Sequence, residues 1–271
     1  MKIGFLITAR LKSKRLPLKL IKKIKGKTVI EWVIERTKQI RGISKIVLCT
    51  SPYLQDKPLV DIARKNNINC FSQKLKHEED VIELLLRAAK LFNLDYFLGI
   101  TGENALFSID YSNKIVEQIK KDGPDFIKIE GLPFGAATFG VKTKVFELVY
   151  QVKPITDTEI WGPLVDRTEL FKIQTIKARG KLKRPKLALS IDYKEDYQLF
   201  KKIYANVPFK KLIKLSDAID YLDKNPDVAK MVSNCKRFSL DPEITKQKEI
   251  DKYYLKNLEK IKKIKSKIFK D

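Results

Sequence analysis

The chain has 271 residues, 44% of them hydrophobic, with a formal net charge of +23, enough for one large α/β domain with an appendage or for two modest domains. No run of about 18 apolar residues occurs, so no transmembrane helix is expected, and the apolar start Met1–Leu6 is too short for a signal peptide. Cys49, Cys70 and Cys235 are odd in number and far apart, which suits reduced thiols in a cytoplasmic protein rather than a disulfide framework.

In chain order, Ile3–Thr8 reads as a buried strand and Thr28–Ile40 as a helix whose apolar face carries Val29, Trp32 and Val33. Lys45–Thr50 is a second strand. Leu59–Asn67 is a helix, Asn69–Ser72 a short strand, and Glu79–Phe92 a helix with Val81, Leu84, Leu85 and Ala88 at helical spacing. Tyr96–Ile100 and Tyr111–Lys121 repeat the strand–helix alternation. Further strands are expected at Asp125–Ile129, Ala137–Val141, Glu169–Lys177 and Lys186–Ile191. Helices are expected at Asp196–Ala205, Leu215–Asp223 and Pro226–Val232.

The tail Glu243–Phe269 has Ile250, Tyr254, Leu258, Ile261, Ile264 and Ile268 at steps of three or four. It reads as a basic amphipathic helix, packed on the body or used at an interface. The expected fold is α/β, a mostly parallel Rossmann-like sheet sandwiched by helices, with a basic C-terminal helical extension. Residues 1–235 form the main domain and 236–271 the tail, with a soft boundary near Lys236–Pro242. In such a sheet, ligands bind beyond the carboxyl ends of the strands.

Several motifs are missing. Gly26-Lys27-Thr28 imitates the end of a P-loop, but Ile21 stands where the first glycine is needed. Gly26 reads instead as a turn and Thr28 as a helix N-cap. No G-x-G-x-x-G or D-x-D occurs, and His77 is the only histidine, so a multi-histidine zinc site is excluded. His77 reads as a polar residue ahead of a helix. The lysines are spread along the whole chain, as in a lysine-biased proteome. A dedicated polyanion surface would concentrate them.

The feature that carries chemistry follows the first strand. Ala9-Arg10-Leu11-Lys12-Ser13-Lys14-Arg15-Leu16-Pro17-Leu18-Lys19 sets five cations in a loop at a strand's carboxyl end. Such a loop can wrap a triphosphate, with arginine giving bidentate contacts and lysine point charge. The alternative is a solvated basic loop. The position after the first strand and the Arg-Leu-Pro-x-Lys ending decide against it.

This loop resembles the A-R-x-x-S-x-R-L-P-x-K signature of the cytidylyltransferases, the family of CMP-sugar-acid synthetases and spore-coat polysaccharide-type nucleotidyltransferases. Further likenesses follow in order: Gly26–Val33, Ile46–Ser51, Glu79-Asp80-Val81-Ile82, Ile100–Leu106 and Ser190–Asp196. The recognisable motifs run to about residue 235. The resemblance implies a fold of the nucleotide-diphospho-sugar transferase type. It implies transfer of CMP from CTP to an acidic, sugar-like acceptor, with release of pyrophosphate. It assigns Arg10 and Lys19 to catalysis on the phosphates. Ala9, Ser13, Arg15 and Thr50 join them in holding the nucleotide, and Glu103 and Asp192 hold Mg²⁺.

Capping of the following helix is the alternative role for Asp192. Trp161 and Arg167 are assigned to the acceptor, with Arg179 as a second candidate clamp. A homodimer is expected. Leu18, Glu103 and Ala105 depart from the family's Gly, Asp and Pro. The alternative functions are another small-acid acceptor, such as a phosphonate, or a degenerate basic protein that binds RNA or membrane.

Overall fold

The alternation read from the sequence forms one seven-stranded sheet with helices on both faces. The structure is a computed structural model describing residues 1–233, 235 and 240–270, with no side chains described for 240–246. The boundary expected near Lys236–Pro242 therefore lies largely outside the described residues. The chain opens with β1 (Ile3–Thr8) and the two-residue hairpin strands β2 (Lys23–Ile24) and β3 (Lys27–Thr28), with α1 (Val29–Thr37) following. Next come β4 (Lys45–Thr50), α2 (Lys57–Lys65), β5 (Asn69–Ser72), α3 (Val81–Leu91), β6 (Tyr96–Thr101) and α4 (Ile109–Asp122).

The second half holds β7 (Phe126–Glu130), β8 (Phe139–Lys142), α5 (Thr143–Val152), the short α6 (Gly162–Val165) and β9 (Ile173–Lys177). It ends with α7 (Lys194–Asn206), α8 (Leu215–Lys224), α9 (Pro226–Lys230) and α10 (Leu240–Lys270).

The strand order is β5-β4-β1-β6-β8-β7-β9, and β8 alone runs antiparallel to its neighbours. Alternate residues of each strand feed two cores, as a pleated strand requires. Phe5, Ile7, Leu48 and Leu98 pack with α1, α4, α7 and α8 on one face. Leu6, Val47, Phe97 and Val141 pack with α3, α5 and α10 on the other.

The boundaries follow local chemistry. Gly26, at φ +86, turns the hairpin, and Thr28 caps α1. The Thr28 hydroxyl accepts the Glu31 N–H at 3.3 Å, while the Glu31 carboxylate accepts the Thr28 N–H at 2.8 Å, a reciprocal capping box. The Asp80 and Ser108 side chains cap α3 and α4 by accepting the Glu83 and Tyr111 N–H groups.

Two expectations change, and one helix is added. Lys186–Ile191 is not a strand of the sheet. It runs beside the 131–135 loop, where Leu187 and Phe134 and then Phe134 and Leu189 exchange backbone bonds of 2.8 Å, so its polar groups are satisfied there. The strand expected from Glu169 begins only at Ile173, because Leu170 and Phe171 turn back to donate to the Arg167 carbonyl. Helix α5 was not anticipated, although Val145, Phe146, Leu148, Val149 and Val152 are spaced for it and all are buried.

Helix α10 lies on the body: Ile250, Tyr254 and Ile261 are buried in the second core, against α5 and α6. No described helix is long and apolar enough to cross a membrane.

Candidate active site

The site is built around β1. Its neighbours β4 and β6 lie on opposite sides, so the chain leaves β1 in one direction and returns on the other, opening a crevice at the carboxyl ends. The loop from Ala9 to Lys19 occupies it. Leu11 and Leu16 are buried and anchor the loop, and the Leu11 N–H donates to the buried Asp56 carboxylate at 2.7 Å. The apolar anchors leave the interleaved cations facing outward. Leu18 precedes Lys19 in a left-handed conformation, φ 55 and ψ 25, which a glycine would adopt without the steric cost of a Cβ.

One cleft of about 820 Å³ collects most of the residues expected from the sequence. Ala9, Arg10, Ser13, Arg15, Lys19, Glu103, Trp161 and Asp192 all line it. Lys12 and Lys14 line the same cleft, so the loop's five cations all reach it. Thr50 does not line this cleft. It lines an adjoining pocket that shares Arg10 and Lys12 with the cleft. The Thr50 hydroxyl is buried there with no protein partner for its hydrogen bond.

At the centre, three chain segments meet on one ion cluster. The Lys19 ammonium lies 3.0 Å from Asp192 Oδ1 and 3.9 Å from Glu103 Oε1. The Arg15 guanidinium reaches the same Asp192 oxygen at 3.0 Å and stacks over the Tyr193 ring at 5.1 Å. Burial alone would raise the Asp192 carboxyl, but Lys19, Ser190 and Arg15 hold it below the usual carboxylate range. Asp192 is therefore anionic at neutral pH.

Capping is not its role. The Asp196 carboxylate accepts the N–H groups of Asp192 and Tyr193 at 2.9 and 2.8 Å, which frees the Asp192 side chain for the cleft.

These two carboxylates fit a divalent metal. A single cation, the Lys19 ammonium, already sits between them, so they are within reach of one positive centre. Carboxylate oxygen is the donor type that Mg²⁺ prefers. Among the described residues no group of three or more His, Cys, Asp or Glu gathers as a metal site, so the cleft offers two carboxylates and no third protein ligand of these types.

Part of the cleft wall is aromatic. Trp161 stacks edge-on against Phe139 at 4.4 Å and Phe146 at 5.2 Å, and Ile160 and Phe134 extend the apolar surface. Phe139 also lines the cleft, although a strand phenylalanine reads as core in the sequence; Glu159 and Ile160 belong to the stretch Asp157–Gly162 that the resemblance sets on the acceptor side.

Arg167 lies elsewhere. It packs over Tyr254 at 4.7 Å, bonds the Pro163 carbonyl at 2.8 Å, and sits 2.6 Å from Asp251 on α10. It is a strut for α10 and does not line the cleft. Arg179 is exposed and also outside the cleft. His77 is exposed ahead of α3, as read.

The chain's likenesses agree with this geometry. It is 28% identical over 246 residues to an uncharacterised protein of Methanocaldococcus jannaschii, covering 88% of this chain and 98% of that protein. It is 23% identical over 238 residues to the spore coat polysaccharide biosynthesis protein SpsF of Bacillus subtilis, covering 84% and 96%. A solved cytidylyltransferase structure from Leptospira borgpetersenii superposes with a TM-score of 0.77 at 24% identity, covering 88% of this chain and all of the other, which shows the shared fold. A family model described as cytidylyltransferase matches residues 5–267, from β1 into α10, beyond the stretch where motifs can be recognised by eye. The match over almost the whole length shows that the chain belongs to the cytidylyltransferase family.

Proposed function

We propose that this enzyme transfers CMP from CTP to a hydroxyl of a small, acidic, sugar-like acceptor and releases pyrophosphate. The observation that carries the reading is the convergence of five loop cations and two separate carboxylates in one cleft at the carboxyl edge of the sheet. Arg10 and Lys19 neutralise the triphosphate, with Arg15 and Ser13 beside them and Thr50 lining the adjoining pocket. The acceptor hydroxyl gives up its proton to solvent as its oxygen forms a bond to the α-phosphorus, and the bond from that phosphorus to the pyrophosphate oxygen breaks in line.

Glu103 and Asp192 would hold Mg²⁺, which when bound supplies charge neutralisation for phosphate oxygens. Lys19 leaves Asp192 for the phosphates when nucleotide enters. The apolar wall at Trp161 orients the acceptor and excludes water from the transfer. With Arg167 committed to α10, the cations left for an acceptor carboxylate are Lys12 and Lys14. Likeness to a spore coat polysaccharide protein supports a role in surface polysaccharide synthesis. The same proposal includes a homodimer acting in the cytoplasm, both resting on family membership, and a catalytic body of residues 1–235.

The test is pyrophosphate release from CTP, ATP, GTP and UTP in turn, with Mg²⁺ and a panel of 3-deoxy sugar acids, neutral sugars and phosphonates. Release with CTP and a sugar acid is expected. Release with another nucleotide, or with neutral acceptors only, would contradict the donor or the acceptor assignment separately.

A further inference from the structure

Asp80, from the Glu79-Asp80-Val81-Ile82 motif, has no part in the proposed chemistry, yet it sits in a buried polar network. Its Oδ2 accepts from the Lys153 ammonium at 2.6 Å, and the two side chains are 2% and 7% exposed. Its Oδ1 accepts the Glu83 N–H at 3.1 Å and the Thr158 hydroxyl at 2.9 Å. That hydroxyl in turn accepts the Ile82 N–H at 3.0 Å, and the Thr158 N–H donates to the Glu79 carbonyl at 3.1 Å. Lys153 ends α5 and also donates to the Ile155 carbonyl at 3.0 Å. The start of α3, the end of α5 and the 153–161 segment are thus tied at one point.

Five neighbours of the knot are cleft residues. Glu79 and Val81 flank Asp80, and Glu159, Ile160 and Trp161 follow Thr158; all five line the cleft. A buried ion pair is weak grounds for stability, because a well-packed apolar pair does as well without the desolvation cost. What such a pair supplies is one definite arrangement, since any shift leaves a buried charge unpartnered.

We propose that Lys153, Asp80 and Thr158 are positioning residues. They form a latch that fixes the Glu159–Trp161 wall against the start of α3 and so sets the acceptor side of the cleft. The link to the acceptor rests on the function proposed above; the latch itself does not.

The experiment uses the full chain carrying Trp32→Phe, which leaves Trp161 as the sole tryptophan. Acrylamide quenching of Trp161 and binding of Mg·CTP are measured with and without Lys153→Met. Releasing the wall should raise the quenching constant about twofold or more, as a half-buried ring opens to solvent, while CTP affinity stays within about twofold. Thr158→Val removes the hydroxyl bridge with little change of shape. It should raise quenching in the same direction, and it decides the question if Lys153→Met does not fold.

Folded variants with unchanged Trp161 quenching would overturn the latch. So would a fall in CTP affinity in step with the quenching change, since that describes general loosening. If quenching rises as expected but no acceptor turnover depends on it, the latch stands and the acceptor reading falls.

Discussion

Asp192→Asn separates the roles of this carboxylate. It keeps the size and one oxygen but removes the charge that meets Lys19 and Arg15. Arg15 is 47% exposed, so its half of the pair contributes less than about 1 kcal/mol. Lys19 is 11% exposed, and weakening a buried charge-assisted bond costs on the order of 1.5–3 kcal/mol. Glu103, 3.9 Å away, takes up part of the ammonium's charge, so the net loss in the free enzyme should be about 1–2 kcal/mol. For a chain of this size that lowers Tm by about 2–8 °C.

Nucleotide binding moves with the metal. Calorimetric titration of CTP with Mg²⁺ and then with chelator gives the metal-dependent gain in affinity. In Asp192→Asn that gain should shrink about tenfold or more, as expected when a contact worth more than about 1.4 kcal/mol is lost. Without metal the variant should bind CTP as well as wild type or better, because a negative charge beside the triphosphate is gone. A lowered Tm with the full metal-dependent gain retained would refute metal binding by Asp192 and leave it as a partner of Lys19 alone.

Other outcomes follow from the same geometry. Arg10→Ala should weaken CTP binding and turnover by about 1.5–3 kcal/mol, measured by titration and pyrophosphate release; unchanged affinity would remove Arg10 from the phosphates. Arg167→Met should lower Tm by several degrees, in line with a loss of about 1–3 kcal/mol, yet leave CTP affinity intact, because its partners are on α10. Loss of CTP binding in a well-folded Arg167→Met would return that residue to the site.

Glu31 gives a pH test. Burial opposes its charge, but bonds from Thr28 and the charges of Lys65 and Lys27 hold its folded pKa below the ordinary value. A depressed carboxylate contributes stability above its unfolded pKa and loses it as pH falls through the folded one. In urea melts, the deficit of Glu31→Gln should therefore be largest near neutral pH and close below about pH 4, near the unfolded glutamate value. A gap that stays constant down to pH 3 would contradict it.

The loop Ala9–Lys19 was legible because its residues are contiguous and follow a strand, so one stretch of sequence states both charge and position. The central ion cluster was legible only in part. Glu103 and Asp192 were readable by resemblance, but Lys19 and Asp192 are 173 residues apart, and nothing local shows that they touch. Arg167 was misplaced for the same reason. A buried arginine needs an acceptor, and the sequence cannot say whether that is a ligand or Asp251 on a helix far down the chain.

The Lys153–Asp80 pair was invisible, since each residue reads singly as a surface charge. Leu18 shows the reverse case: the resemblance sets glycine at this position, and the positive φ is a conformation in which glycine carries no steric cost. The Lys186–Ile191 segment has the composition of a strand, but a strand also needs a free sheet edge, and the 131–135 loop took its hydrogen bonds instead.

The most direct measurement is crystallography of the protein soaked with CTP and Mn²⁺, a metal that can be located by anomalous scattering. The nucleotide's phosphates should lie within hydrogen-bonding distance of Arg10 and Lys19, with an anomalous peak between Glu103 and Asp192. Phosphates bound away from the Ala9–Lys19 loop, or a metal held without either carboxylate, would contradict the site.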